Sequence, residues 1–211
     1  MLESWASGFL SSACPPSWGA GGGEALRLGI AGSSGSGKSS LMRELITKTR
    51  HRSSQSRSLV FAPMPAPYGF TCRTRGEAAR SLSMKHSVTI IQNPGLFLSL
   101  MPAVMERGSI MLWVDEAHEV FPRTKPDPML HRILLEGRNR GIGLVWSTQR
   151  PTRCHVDVLG VSQGIVLGRL IAPADIAYSR QWGVIQPLPM FHFKAILPGC
   201  EVQDVRSKKY N

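Results

Sequence analysis

The stretch Gly32-Ser33-Ser34-Gly35-Ser36-Gly37-Lys38-Ser39 constrains this chain more than any other, because it follows directly on the apolar run Ala25–Ala31. Its spacing is G-x-x-x-x-G-K-[ST], in the strand–loop–helix setting that a phosphate-binding P-loop requires. Glycine at Gly32, Gly35 and Gly37 lets the backbone turn tightly, so that amide groups face an anion. Lys38 is placed to reach terminal phosphates, and the Ser39 hydroxyl to ligate Mg²⁺. The nucleotide-binding set thus runs from Gly32 through Ser40. Apolar residues at Leu41, Met42, Leu45 and Ile46 then recur with helical spacing. The N-terminus of that helix adds its dipole and free amides to the site. A Gly/Ser linker could match the same letters, but it would lack both flanks.

Strand and helix patterns alternate along the rest of the chain. Strands are predicted over 26–31, 58–62, 87–92, 109–115, 143–148, 164–168 and 190–196. Helices are predicted over 38–49, from Asn93-Pro94 onward, over 129–139 and over 174–182. This order implies an α/β fold with a mainly parallel central sheet flanked by helices, and ligands at the C-terminal strand ends. Residues 1–23, rich in Ser, Gly and Pro, read as a flexible N-terminal arm, 24–200 as the P-loop ATPase domain, and 201–211 as a basic tail. The stretch 68–85 reads as an irregular basic insertion, with a short helix near 77–83.

The formal charge of +11, from 25 Lys and Arg against 14 Asp and Glu, suggests a polyanionic partner, nucleic acid before an anionic membrane surface. A solubility role would give the same sign. Four cysteines without a C-x-x-C pair indicate neither a zinc knuckle nor a disulfide framework. The adjacent pair Cys154-His155 has no further ligands nearby in sequence. No apolar run approaches the roughly 20 residues of a membrane span, and no basic leader precedes an apolar one.

A second motif completes the chemistry. The apolar run Ile110–Val114 delivers Asp115-Glu116 to its C-terminal end, a Walker B pattern. Asp115 is suited to hold Mg²⁺ through water, and Glu116 to polarise an attacking water. Because strands 58–62 and 87–92 intervene, the Walker strands need not be neighbours in the sheet, as in the additional-strand class of P-loop ATPases. Asp115-Glu-Ala-His118 also spells a DEAH box, but there is no second lobe and no Q-x-x-G-R-x-G-R motif. His118 is read as a local contact. Farther on, a basic helix end at Arg138 and Arg140 leads into the strand 143–148 and then Gln149. Gln149 can report a γ-phosphate, while an Arg ahead of that strand can project toward a neighbouring subunit.

The P-loop, the Asp-Glu Walker B, Gly137-Arg-Asn-Arg-Gly-Ile142, Thr148-Gln-Arg-Pro151 and Gly168-Arg-Leu-Ile-Ala-Pro-Ala-Asp175 together resemble the FtsK–HerA superfamily of DNA-pumping ATPases. The resemblance implies a RecA-like P-loop NTPase of the additional-strand class, using ATP and Mg²⁺. It implies catalytic roles for Lys38, Glu116, Gln149 and Arg138, with Arg140 or Arg150 as alternative fingers. It also implies a hexameric ring around double-stranded DNA. The bare motor resembles the genome-packaging ATPases of membrane-containing, double-jelly-roll viruses. That resemblance places the protein in the virion or host cytoplasm, with a capsid vertex or viral membrane protein as docking partner. A HerA-like translocase and a zonular-occludens-toxin-like assembly ATPase are the alternatives. Candidate DNA contacts are Arg73, Arg75, Arg80 and Lys85 in the 68–85 stretch, ahead of clusters at 43–57 and 206–209.

Overall fold

The computed structural model describes residues 25–52, 57–197 and 200–207. The arm expected over 1–23, and Lys208 and Lys209 of the basic tail, lie outside the described residues. The first half alternates β1 (Arg27–Ala31), α1 (Lys38–Arg52), β2 (Ser58–Phe61), β3 (Phe70–Cys72), α2 (Arg75–Ser83), β4 (Val88–Ile91), α3 (Pro94–Ser99) and α4 (Met101–Arg107). The second half runs through β5 (Met111–Val114), α5 (Pro128–Glu136), β6 (Gly143–Thr148), α6 (Val156–Gly160), β7 (Gly164–Leu167), α7 (Pro173–Gln181), β8 (His192–Ile196) and β9 (Gln203–Arg206).

These strands form one sheet in the order β3-β4-β2-β5-β6-β1-β7-β8-β9. Pairing is parallel from β3 to β7 and antiparallel from β7 through β9. The central strands are buried along their whole length, which explains why they read as mainly apolar runs without a polar face. Alternate side chains feed two cores. Leu28, Ile30, Val60, Trp113 and Val145 pack under Leu41, Met42 and Leu45 of α1. Phe61, Phe97, Leu112, Ile133 and Trp146 fill the opposite face. Gly29 is obligatory there, because a Cβ at that position would fall within the Trp146 indole ring. The Trp146 Nε1–H donates to Ser162 Oγ at 2.8 Å, so this buried ring keeps no orphan donor.

The Walker strands β1 and β5 are indeed not neighbours, but the strand between them is β6, which follows both in sequence. The strands 58–62 and 87–92, offered as the reason, lie on the far side of β5. The stretch 68–85 also differs from expectation. It is a βα unit, with β3 added in parallel to β4. A capping box explains its order: Thr74 Oγ1 accepts from the Glu77 amide at 3.2 Å, and Glu77 Oε2 accepts from the Thr74 amide at 3.3 Å. The helix begun at Pro94 is two short ones, parted at Leu100, with Pro102 in the first turn of the second. Finally, β9 lies within 201–211, the segment read as a tail, and pairs with β8 from His192↔Arg206 to Ala195↔Gln203.

Candidate active site

The β1 backbone delivers the P-loop to the C-terminal rim of the sheet, where its ends are tied to the adjoining strands. The Gly32 amide donates to the Thr148 carbonyl at 3.1 Å, and the Ser33 amide to the Arg169 carbonyl at 2.6 Å. Gly35 and Gly37 adopt φ values of 71° and 98°, a region that favours glycine. The loop is also braced from behind by the β8–β9 hairpin. The Phe191 amide donates to the Ser36 carbonyl at 3.0 Å, and Ser207 Oγ to the Gly37 carbonyl at 3.4 Å. A Cβ on Gly37 would come within 2.6 Å of both Phe191 and Ser207.

Lys38 is 5% exposed and donates from Nζ to the Ser33 carbonyl at 3.2 Å. Burial lowers its pKa from the ordinary lysine value, against the opposing pull of Glu116 and then Asp115. The buried Ser33 and Ser36 hydroxyls have no hydrogen-bond partner among the described residues. Such orphaned hydroxyls beside a buried cation fit an anionic ligand. Across the rim, Ser39 Oγ donates to Asp115 Oδ2 at 3.3 Å, while Asp115 Oδ1 accepts from Ser147 Oγ and from the Glu116 amide. This hydroxyl–carboxylate pair is the donor set that a hard, octahedral cation such as Mg²⁺ takes.

Glu116 has φ 51°, left-handed backbone in a residue that rarely adopts it. Its carboxylate is held by Gln149, whose Nε2 donates to Oε1 at 2.6 Å and whose amide donates to Oε2 at 3.3 Å. His118 Nδ1 lies 3.5 Å from Glu116 Oε2 and 3.3 Å from Thr148 Oγ1, the local contact expected of it. Thus Lys38, Ser39, Asp115, Glu116 and Gln149 converge.

The arginines separate. Arg150 Nε donates to Oδ2 of the 1%-exposed Asp175 at 2.9 Å, and Thr152 bonds the other oxygen. This pair fastens α7 to the end of β6. Arg138 and Arg140 sit exposed on a 3-10 turn ahead of β6, at the N-terminal rim, opposite the P-loop. Arg140 Nη1 donates to the Met105 carbonyl at 3.4 Å. Arg138 lies near enough to Arg27, at the start of β1, that its charge adds to burial in lowering the Arg27 pKa to about 10. Neither can reach its own P-loop. Arg73, Arg75, Arg80 and Lys85 are all exposed around α2, at the β3 edge of the sheet.

Several residues at this rim escaped sequence reasoning. Tyr68 is partly buried, and its phenol is raised well above the usual range by burial and by Asp115. Arg169, at the end of β7, buries an Nε with no partner among the described residues. Its position after a parallel strand beside the P-loop strand was the available signal. Phe191 and Ser207 left none, since only the hairpin brings them to the loop.

No protein-family model matches the chain. Over 75 residues, 34% of its length, it is 32% identical to the probable DNA double-strand break repair helicase HerA of Methanocaldococcus jannaschii. The matched segment is 15% of that relative, and a similar match to a probable helicase of the same organism covers 14%. The fold likeness extends much farther. The genome packaging NTPase B204 of Sulfolobus turreted icosahedral virus 2, in complex with sulfate, superimposes with a TM-score of 0.73 at 17% identity. That match covers 90% of this chain and 100% of the viral one. The EccC ATPases of Thermomonospora curvata match with a TM-score of 0.61 at 11% identity, over 87% of this chain and 37% of theirs. The chain therefore carries the RecA-like P-loop NTPase fold, and its match spans the whole of the viral genome-packaging NTPase but only a small part of the curated helicases.

Proposed function

We propose that the chain is an ATP-driven translocase of double-stranded DNA that works as a ring and packages a viral genome. One observation carries this reading: the phosphate-binding, metal-holding and water-activating groups stand at one rim of the sheet, and the exposed Arg138 turn stands at the other. A second copy, packed rim to rim, completes the first. The P-loop amides, Lys38 and the Ser33 and Ser36 hydroxyls bind the triphosphate. Ser39 and Asp115 hold Mg²⁺, which when bound neutralises charge between the β- and γ-phosphates. Glu116 takes a proton from the attacking water. Gln149 holds that carboxylate through its amide and relays the presence of a γ-phosphate to β6. Arg138 of the next subunit stabilises charge in the transition state. The B204 likeness supports packaging, since that protein is a genome packaging NTPase, is matched over 98% of its chain and was solved in complex with ATP-γ-S. Exposed Arg73, Arg75, Arg80 and Lys85 are suited to phosphate contacts that read no sequence.

The test is ATP hydrolysis with and without linear duplex DNA at one low salt concentration, with Lys38→Ala as the blank. Stimulation by duplex, abolished at least about 100-fold by Lys38→Ala, is expected. Turnover in a folded Lys38→Ala protein, or indifference to DNA, sinks the proposal. The HerA match favours a second reading, a translocase in DNA repair, which duplex stimulation without capsid binding would select.

A further inference from the structure

Beside the segment that follows Gln149, three side chains meet that the hydrolytic chemistry does not use. His131 stands on α5, whose N-cap Asp127 accepts from the Met129 and Leu130 amides at 2.9 and 3.0 Å. His155 caps α6, with Asp157 in its first turn. The His155 amide donates to the Phe121 carbonyl at 3.0 Å, and Cys154 bridges Pro122, so the segment is tied to the chain at 121–122. His131 Nε2 lies 2.5 Å from Asp157 Oδ2, and His155 Nδ1 lies 3.6 Å from the same oxygen. One ligand atom from each residue falls within 4.8 Å of the others. The two rings stand edge to face, 5.4 Å apart. The side chains are only 34%, 16% and 37% exposed.

His155 Nδ1 faces two neighbours with opposite demands. The Asp157 amide, 3.3 Å away, donates a proton and needs a lone pair. The Asp157 carboxylate needs a proton or a cation. A neutral Nδ1 suits the amide and aims its lone pair at a carboxylate oxygen. Nδ1 has a single lone pair, so a cation bound there takes the place of the Asp157 amide bond, and at Asp157 Oδ2 it takes the place of the His131 contact. Two imidazoles and one carboxylate form a donor set for zinc and its first-row neighbours, whereas Mg²⁺ prefers oxygen alone.

We propose that His131, His155 and Asp157 bind one divalent transition-metal ion, zinc by best fit, at a site separate from the nucleotide. Binding expels the proton shared by His131 and Asp157, and it widens their contact to the roughly 3.3 Å that tetrahedral bonds of about 2.0 Å require. The ion would tie α5, which leads into the Arg138 turn, to the segment that follows Gln149. The thiol of Cys154 takes no part, since it is buried and directed at the Arg150 carbonyl.

The full chain, stripped by chelator and saturated with Mg²⁺ and ADP, is titrated with Zn²⁺ by calorimetry and with Co²⁺ by visible absorption. One equivalent is expected, with a higher melting temperature and visible bands of nitrogen-ligated Co²⁺. His131→Gln and Asp157→Asn should each weaken binding at least about tenfold. No saturable binding, or binding unchanged in His131→Gln, overturns the proposal. Should either variant fail to fold, the unmodified chain decides: a Co²⁺ spectrum like that of the aqueous ion overturns it.

Discussion

The two rims of the sheet are built on different terms. At the C-terminal rim, Lys38, Asp115, Glu116 and Gln149 are partly or wholly buried, and each is tied to a neighbour. At the N-terminal rim, Arg138 and Arg140 stand exposed on a short 3-10 turn closed by Gly141 at φ 69°. The C-terminal-rim groups sit at buried strand ends, whereas the two arginines are carried into solvent by a turn that is itself held by backbone bonds from Ser109 to Arg140 and from Gly141 to Arg138. The contrast implies that loss of a C-terminal-rim residue is felt by each chain alone. In the proposed ring, loss of Arg138 would be felt by the neighbouring chain.

The largest expected effect tests that division. Arg138→Ala should lower kcat by about 10³ or more, as removal of an arginine finger does. Mixing it with Glu116→Gln chains should restore part of the turnover, since one kind of mixed interface is then intact. Equal loss in Arg140→Ala would move the finger, and failure of mixing to rescue would break the comparison. Glu116→Gln should cost about 10²-fold or more in hydrolysis while ATP binding persists; a binding assay beside the turnover assay separates the two. A smaller loss, about tenfold, is expected for Gln149→Leu, which removes the side-chain bond to the Glu116 carboxylate while leaving the phosphate loop untouched. If that variant hydrolyses ATP faster, the contact restrains Glu116 instead of aiming it.

The mildest effect is on pH. Because burial lowers the Lys38 pKa, the side chain sheds its proton earlier than an ordinary lysine as pH rises. Triphosphate affinity should therefore decline on the alkaline side, ahead of the usual lysine range. Over the same window the unfolded chain binds more protons than the folded one, so folding stability gains from Lys38 as pH rises. Affinity measured against pH should stay flatter in Lys38→Arg, which holds its charge throughout.

Much of this was legible in the sequence for a physical reason. The strand 143–148 could be read to the residue, because Leu144–Trp146 is apolar on both faces and is bounded by Gly143 and by the buried polar end Ser147-Thr148. The P-loop and Asp115-Glu116 were legible because phosphate and metal chemistry restrict which residues fit. The edges were not. Phe70–Cys72 is mostly exposed, and Gln203–Arg206 buries only Val205, so neither carries an apolar period. The capping box at Thr74 and Glu77 was present in the letters and would have given the start of α2. The meeting of His131 with His155 and Asp157 could not be read, because it depends on two distant segments docking beside each other.

The β8–β9 hairpin has one further consequence. Because the Phe191 amide and the Ser207 hydroxyl donate to the carbonyls of Ser36 and Gly37, the hairpin is joined to the phosphate loop directly as well as through β7. A body gripping the hairpin would then be in mechanical series with the phosphate, and load could set how tightly a nucleotide is held.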